Sequence, residues 1–213
     1  MRKAARAVAA ALGLLCGFAG LEHGCFEILQ GNTPPPSLMF PSMGSPCAPQ
    51  IAWNGCEPAM TLLPNLLISG ILTVMLGLVI MLWSAAFVQR KNGGGILILL
   101  SILQLLLGGG FFPPLIGILG GVAGSQINRP PSEQPAGGLR GLAATLWPWP
   151  LAILVVWLVA QFPVGYYFND VLRSGMGFAV LLIVVLLPLS VYTAYAYDAQ
   201  HPADGPLTAA TGR

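Results

Sequence analysis

The residues best suited to chemistry lie together, just after the first apolar stretch: Glu22, His23, Cys25 and Glu27. His23 and Glu27 are four apart, so on a continuous helix they share one face. An imidazole and carboxylates are common metal ligands, and a His–Glu pair can also share a proton. Glu22, His23 and Glu27 are therefore the candidate metal site, at a membrane edge where ionisable groups are functional candidates by default. One His and two Glu do not complete a zinc shell, and the other histidine, His201, lies far away in the C-terminal tail. The plainer reading of the same residues is a solvated helix end with a local His–Glu contact. No motif implies a cofactor.

The cysteines come next. Cys47 and Cys56 flank a short ring that contains Pro49 and a Trp53-Asn54-Gly55 turn. In the orientation argued below they face an oxidising compartment, where a disulfide between them would add about 2–3 kcal/mol by restricting the unfolded chain. A redox pair is the weaker alternative, because CxxC spacing is missing. Cys25 is then left over, and Cys16 reads as a small packing residue.

Other chemistry is excluded by what is missing. None of the four long charge-free stretches carries a carboxylate or a base in its middle, as a proton-coupled pump would require. There is no Walker motif, GxSxG, HExxH or arginine ladder. The net charge of +2 comes with no basic run for nucleic acid.

These residues must be held by elements built for lipid. Only 8% of the 213 residues are charged, and the mean hydropathy is +0.77. A soluble domain carries about 25% charged residues. Residues 58–89, 92–128, 141–169 and 174–197 contain no Asp, Glu, Lys or Arg. Each can hold a spanning helix of about 20 residues, and the alternation of a barrel strand is absent. The expected fold is an all-α, polytopic transmembrane bundle of five helices. Its spans are 4–21, 63–88, 95–112, 146–163 and 175–197, within one transmembrane domain over residues 1–197. An external loop covers 22–62, residues 125–140 are an outer connection, and 198–213 are a disordered polar tail. The first stretch follows Arg2, Lys3 and Arg6 and reads either as a cleaved signal peptide or as an uncleaved first helix. Its glycine spacing favours the helix.

Lys and Arg set the orientation. With the N-terminus inside and the C-terminus outside, Arg2, Lys3, Arg6, Arg90, Lys91 and Arg173 are cytoplasmic, and Arg129, Arg140 and Arg213 are external. Trp147 and Trp149 then mark the outer end of the fourth span, and Tyr166 and Tyr167 its inner end. The third span is too long for one straight crossing and holds Gly108, Gly109, Gly110, Pro113 and Pro114. The paired prolines predict a break there, with 115–124 a second piece at the outer interface or folded back. Broken helices at membrane depth often line cavities or ion sites.

Small residues mark packing faces. Gly13, Gly17, Gly20 and Gly24 repeat GxxxG spacing on the first helix, and Gly117 and Gly121 do so in the third. On the second, Asn65, Ser69, Thr73 and Gly77 form a four-residue stripe that should meet another helix, with Gln104 as its expected partner. Three functional readings follow. One is a non-enzymatic bundle acting as subunit, regulator or structural component. The second is a transporter or channel for a neutral or lipidic molecule. The third is a metal or redox site at the outer surface. The expected setting is a lipid bilayer, with a bacterial inner membrane the first choice. A second copy or another membrane protein would be the partner.

Overall fold

The computed structural model describes residues 1–43, 48, 53–129 and 138–201. Eight helices carry the described chain: α1 (Lys3–Gln30), α2 (Leu66–Ala86), α3 (Gly93–Leu106), α4 (Phe112–Gly124), α5 (Gly138–Leu146), α6 (Trp149–Tyr167), α7 (Asn169–Ser174) and α8 (Met176–Gln200). Two short antiparallel strands, β1 (Met39–Pro41) and β2 (Pro58–Met60), pair with Phe40 opposite Ala59 between α1 and α2. The all-α class expected from composition is the observed one. Four helices, α1, α2, α6 and α8, are long and apolar enough to cross a membrane.

Local chemistry fixes the ends of these helices. α1 stops at Gly31, whose positive φ of 79° suits a residue without a Cβ. α1 is longer than the expected 4–21, so Glu22, His23, Cys25 and Glu27 belong to the helix and not to a loop. α2 is capped by Asn65, whose side-chain oxygen accepts from Ile68 N at 3.1 Å. α8 continues through Asp198 to Gln200, residues expected in a disordered tail. α5 occupies part of the segment expected to be an irregular connection, and 130–137 lie outside the described residues.

α1 is the central helix, with Ala5, Val8, Ala9 and Leu12 fully buried. It meets α2 at glycines from both sides. A Cβ on Gly17 would stand 2.6 Å from Gly77 O, and one on Gly24 would stand 2.8 Å from Gly70 O. No side chain fits there, so the two backbones touch and gain dispersion contacts that lipid cannot replace. On its other side, α1 packs against α4: Gly117 sits against Cys16, and Gly120 against Leu12.

The third apolar stretch differs from expectation in one decisive way. α3 ends at Leu106 and the chain turns over Gly108, Gly109 and Gly110, with φ of +107° at Gly108 and +79° at Gly110. Pro113 and Pro114 do not break a helix; they occupy the first turn of α4, where a missing N–H costs nothing. α4 then runs back along α3, so that Gly121 and Gly124 lie against Gly94 at the start of α3. At 14 and 13 residues the two helices are about 20 Å long, short of a hydrocarbon core of about 30 Å.

This return inverts everything after it. The N-terminal end of α1 is tied to the end of α4 by Arg2 N donating to Ile127 O at 3.1 Å. It is tied to the end of α8 by Asp198, which accepts from Ala4 N and Ala5 N. Trp147 at the start of α6 lies 6.3 Å from Tyr197 at that same end. Gly165, near the other end of α6, packs against Trp53 in the loop beyond α1. The expectation that the two ends of the chain lie on opposite sides is therefore replaced: α1 begins and α8 finishes at one end of the bundle. Trp147 therefore lies at the end of the bundle where α1 begins, and Gly165, beside Tyr166 and Tyr167, lies at the other.

Candidate functional site

The end of α1 remote from Arg2 carries the charged residues named above, and each is held by a different partner. His23 is 1% exposed. Its Nδ1 shares a 2.5 Å hydrogen bond with Ser42 Oγ, and its Nε2 lies 3.7 Å from Glu57 Oε1. Glu22, on the neighbouring face, accepts from Asn54 Nδ2 at 3.1 Å. Ser42 follows β1 and Glu57 precedes β2, so the strand pair delivers both side chains onto α1, with Ser42 N donating to Glu57 O at 3.1 Å.

Glu27 turns elsewhere. It is fully buried, and its carboxylate lies against Gly108 in the turn between α3 and α4. No hydrogen bond of good geometry reaches either carboxylate oxygen. Gly110 in the same turn lies against the His23 ring. A side chain at either glycine would collide with these groups, so the triple glycine is required twice, by its positive φ and by close approach. The expected metal trio is not assembled: among the described residues no three His, Cys, Asp or Glu side chains gather as ligands. The reason is geometric, since Glu22 and Glu27 leave the helix on different faces and take different neighbours.

A cavity of about 910 Å³ opens beside His23, between α1, α4, α6, α8 and the 53–57 turn. Its walls are apolar, built from Phe18, Ile116, Leu158, Phe162 and Ile183 among others. One end is polar and is formed by Glu22, His23, Asn54 and Glu57. Gln161 also belongs to the cavity lining; this residue is 5% exposed and its buried Nε2 has no partner. Phe18 and Phe162 meet edge to face with centroids 5.9 Å apart, and both are exposed where they line the cavity. The cavity thus has a polar end and a wall that includes two packed aromatic rings.

No family model, no curated protein and no solved structure matches this chain.

The polar stripe of α2 finds different partners from those expected. Asn65 serves as the cap of α2 and bonds Asn32. Ser69 and Thr73 both donate to Leu107 O, at 2.6 and 2.5 Å. Gln104 instead reaches α1 and donates to Cys16 O at 3.0 Å, beside Gly20. Gly13 lies against Ser84, and Gly121 against Ile98. Cys16 and Cys25 are free thiols, and Cys47 lies outside the described residues, so the expected Cys47–Cys56 link falls there too.

Sequence reasoning missed Ser42, Asn54 and Glu57, which come from an irregular segment with no periodicity to read. Gln161 had a usable signal: it is the one amide within the apolar run 151–162.

Proposed function

We propose that this is a multi-pass membrane protein that holds an amphipathic, lipid-like molecule in the cavity between α1 and α4 on one side and α6 and α8 on the other. The cavity itself carries the reading. At about 910 Å³ it is in the range of ligand pockets, and apolar walls with a few convergent polar groups are the chemistry of such sites. Glu22 and Glu57 make the polar end rich in acceptors, which suits a head group that is cationic or donates hydrogen bonds. Phe18 and Phe162, exposed on the cavity wall, offer ring surface against which an acyl chain would pack.

The topology that goes with this reading is four crossings, with α3 and α4 entering and leaving from one side. Charge placement supports it. Arg2, Lys3, Arg6, Arg90, Lys91, Arg129 and Arg140 all fall at the end where α1 begins, and Arg173 is the one described basic residue at the other end. That is a far stronger bias than five crossings give, and basic residues collect on the cytoplasmic side. The cell membrane is the setting this supports. The glycine faces do not call for a partner protein, because Gly17, Gly24, Gly70 and Gly77 are used within the chain.

Extraction of lipids from the detergent-purified protein tests the reading. The wild type should retain an amphiphile at a near-stoichiometric ratio. Ala19→Trp, which fills the cavity from α1, should lose it. A wild type that carries no more amphiphile than the variant would rule the reading out.

A further inference from the structure

Glu27 lies outside the cavity and is not used by the reading above. It is fully buried, and no hydrogen bond of good geometry reaches either carboxylate oxygen, the Ser69 hydroxyl being the polar group beside it. A buried carboxylate is normally hydrogen-bonded, paired or bound to a metal, because dry surroundings penalise an isolated charge severely. The reason it lacks donors is on the adjacent helix. Ser69 lies beside it, yet the Ser69 hydroxyl donates to Leu107 O, and Thr73 donates to the same carbonyl. Those two bonds fill both lone pairs of Leu107 O and commit both hydroxyl protons. What Ser69 and Thr73 then present to their surroundings is oxygen lone pairs. Thr61 Oγ, 2.8 Å from Ser69 Oγ, then donates to it, which leaves one Ser69 lone pair free. The site is therefore one carboxylate among hydroxyl oxygens, at the carbonyl end of α3, where the helix dipole is negative. The carboxylate, the hydroxyl oxygens and the helix end all have the sign that attracts a cation.

We propose that Glu27, with the hydroxyl oxygens of Ser69 and Thr73, binds a single monovalent alkali cation beneath the Gly108 turn. Oxygen ligands suit a hard cation. The charge of the site selects valence: one carboxylate neutralises one positive charge, whereas a divalent ion would leave a net charge buried without compensation. A half-helix that ends in an irregular turn at a buried carboxylate is the arrangement by which membrane proteins expose backbone and side-chain oxygens to such ions. The ion would also join three elements, because Glu27 belongs to α1, Ser69 and Thr73 to α2, and the turn connects α3 with α4.

The test is thermal unfolding of the full-length, detergent-purified protein. Sodium chloride replaces choline chloride at constant ionic strength, at pH 7.5. Sodium should raise the midpoint in a saturable manner. Glu27→Gln, which keeps the shape and removes the charge, should abolish that rise. Thr73→Val should raise the half-saturating sodium concentration at least tenfold, and it decides the matter if Glu27→Gln does not fold. No sodium effect on the wild type, an equal effect in Glu27→Gln, or an unchanged half-saturation in Thr73→Val would overturn the proposal. A larger rise with calcium than with sodium would overturn the valence argument. Because the lipid reading depends on other residues, Ala19→Trp should leave the sodium response intact.

Discussion

Asp198 Oδ2 accepts a hydrogen bond from Ala5 N at 2.8 Å, across 193 positions of sequence. Its Oδ1 accepts from Ala4 N at 3.0 Å. Arg2, the residue before α1, provides no side-chain cap, so the carboxylate at the end of α8 caps the first turn of α1. A negative group at the positive end of a helix adds to the two hydrogen bonds. Asp198→Ala should therefore destabilise the protein by about 1–2 kcal/mol. Asp170→Ala should change stability by less than about 0.5 kcal/mol, because Asp170 is exposed and its ion pair with Arg173 is a surface one. Denaturant titration in detergent compares the two; equal effects would contradict the capping role.

In the proposed four-crossing topology, that contact lies on one side of the bilayer. Single cysteines at two exposed positions, Leu139→Cys and Val171→Cys, in a background without the native thiols, report this directly. A membrane-impermeant maleimide applied to intact cells should label Val171→Cys and leave Leu139→Cys unlabelled. Labelling of both from outside would contradict the four-crossing topology.

The backbone contacts of α1 and α2 make a contrast between glycines. Gly24→Val places side-chain atoms onto Gly70 O, where a Cβ alone would be 2.8 Å away. Overpacking of this kind costs roughly 1–3 kcal/mol or prevents folding. Gly95, in the first turn of α3, faces open space, and Gly95→Ala should stabilise the protein by up to about 1 kcal/mol through helix propensity. Melting temperatures that move in the same direction would be inconsistent with this packing.

How much of this could be read from the chain depends on the kind of signal. Residues 66–86 and 176–197 carry no charge, and an uncharged run of that length in lipid has little choice but to be a helix. The turn between α3 and α4 was harder. Gly108–Gly110 and Pro113–Pro114 are both breakers within seven residues, and composition does not say which of them turns the chain. The structure assigns the reversal to the glycines and a helix start to the prolines. Because one return reverses the direction of every later helix, that single ambiguity decides which way α6 and α8 run. At the site, His23 and Glu27 had a helical spacing to read. Ser42, Asn54 and Glu57 did not, because their approach depends on how the β1–β2 segment folds over α1.

Gly165 offers a test of the cavity mouth. Its Cα lies against the indole of Trp53, one of the residues lining the cavity. Gly165→Leu should drive that ring from its place and lower the bound amphiphile at least severalfold, measured as lipid per protein after purification. Full retention would mean that Trp53 does not help to close the cavity.

The most direct measurement is photolabelling of the protein in membranes with a long-chain amine carrying a diazirine at mid-chain, followed by mapping of the modified residues. The account predicts modification of cavity residues such as Phe18, Leu158 and Ile183, suppressed in Ala19→Trp. Modification confined to outward-facing residues such as Leu78, Val156 and Val184, and equal in both proteins, would contradict it.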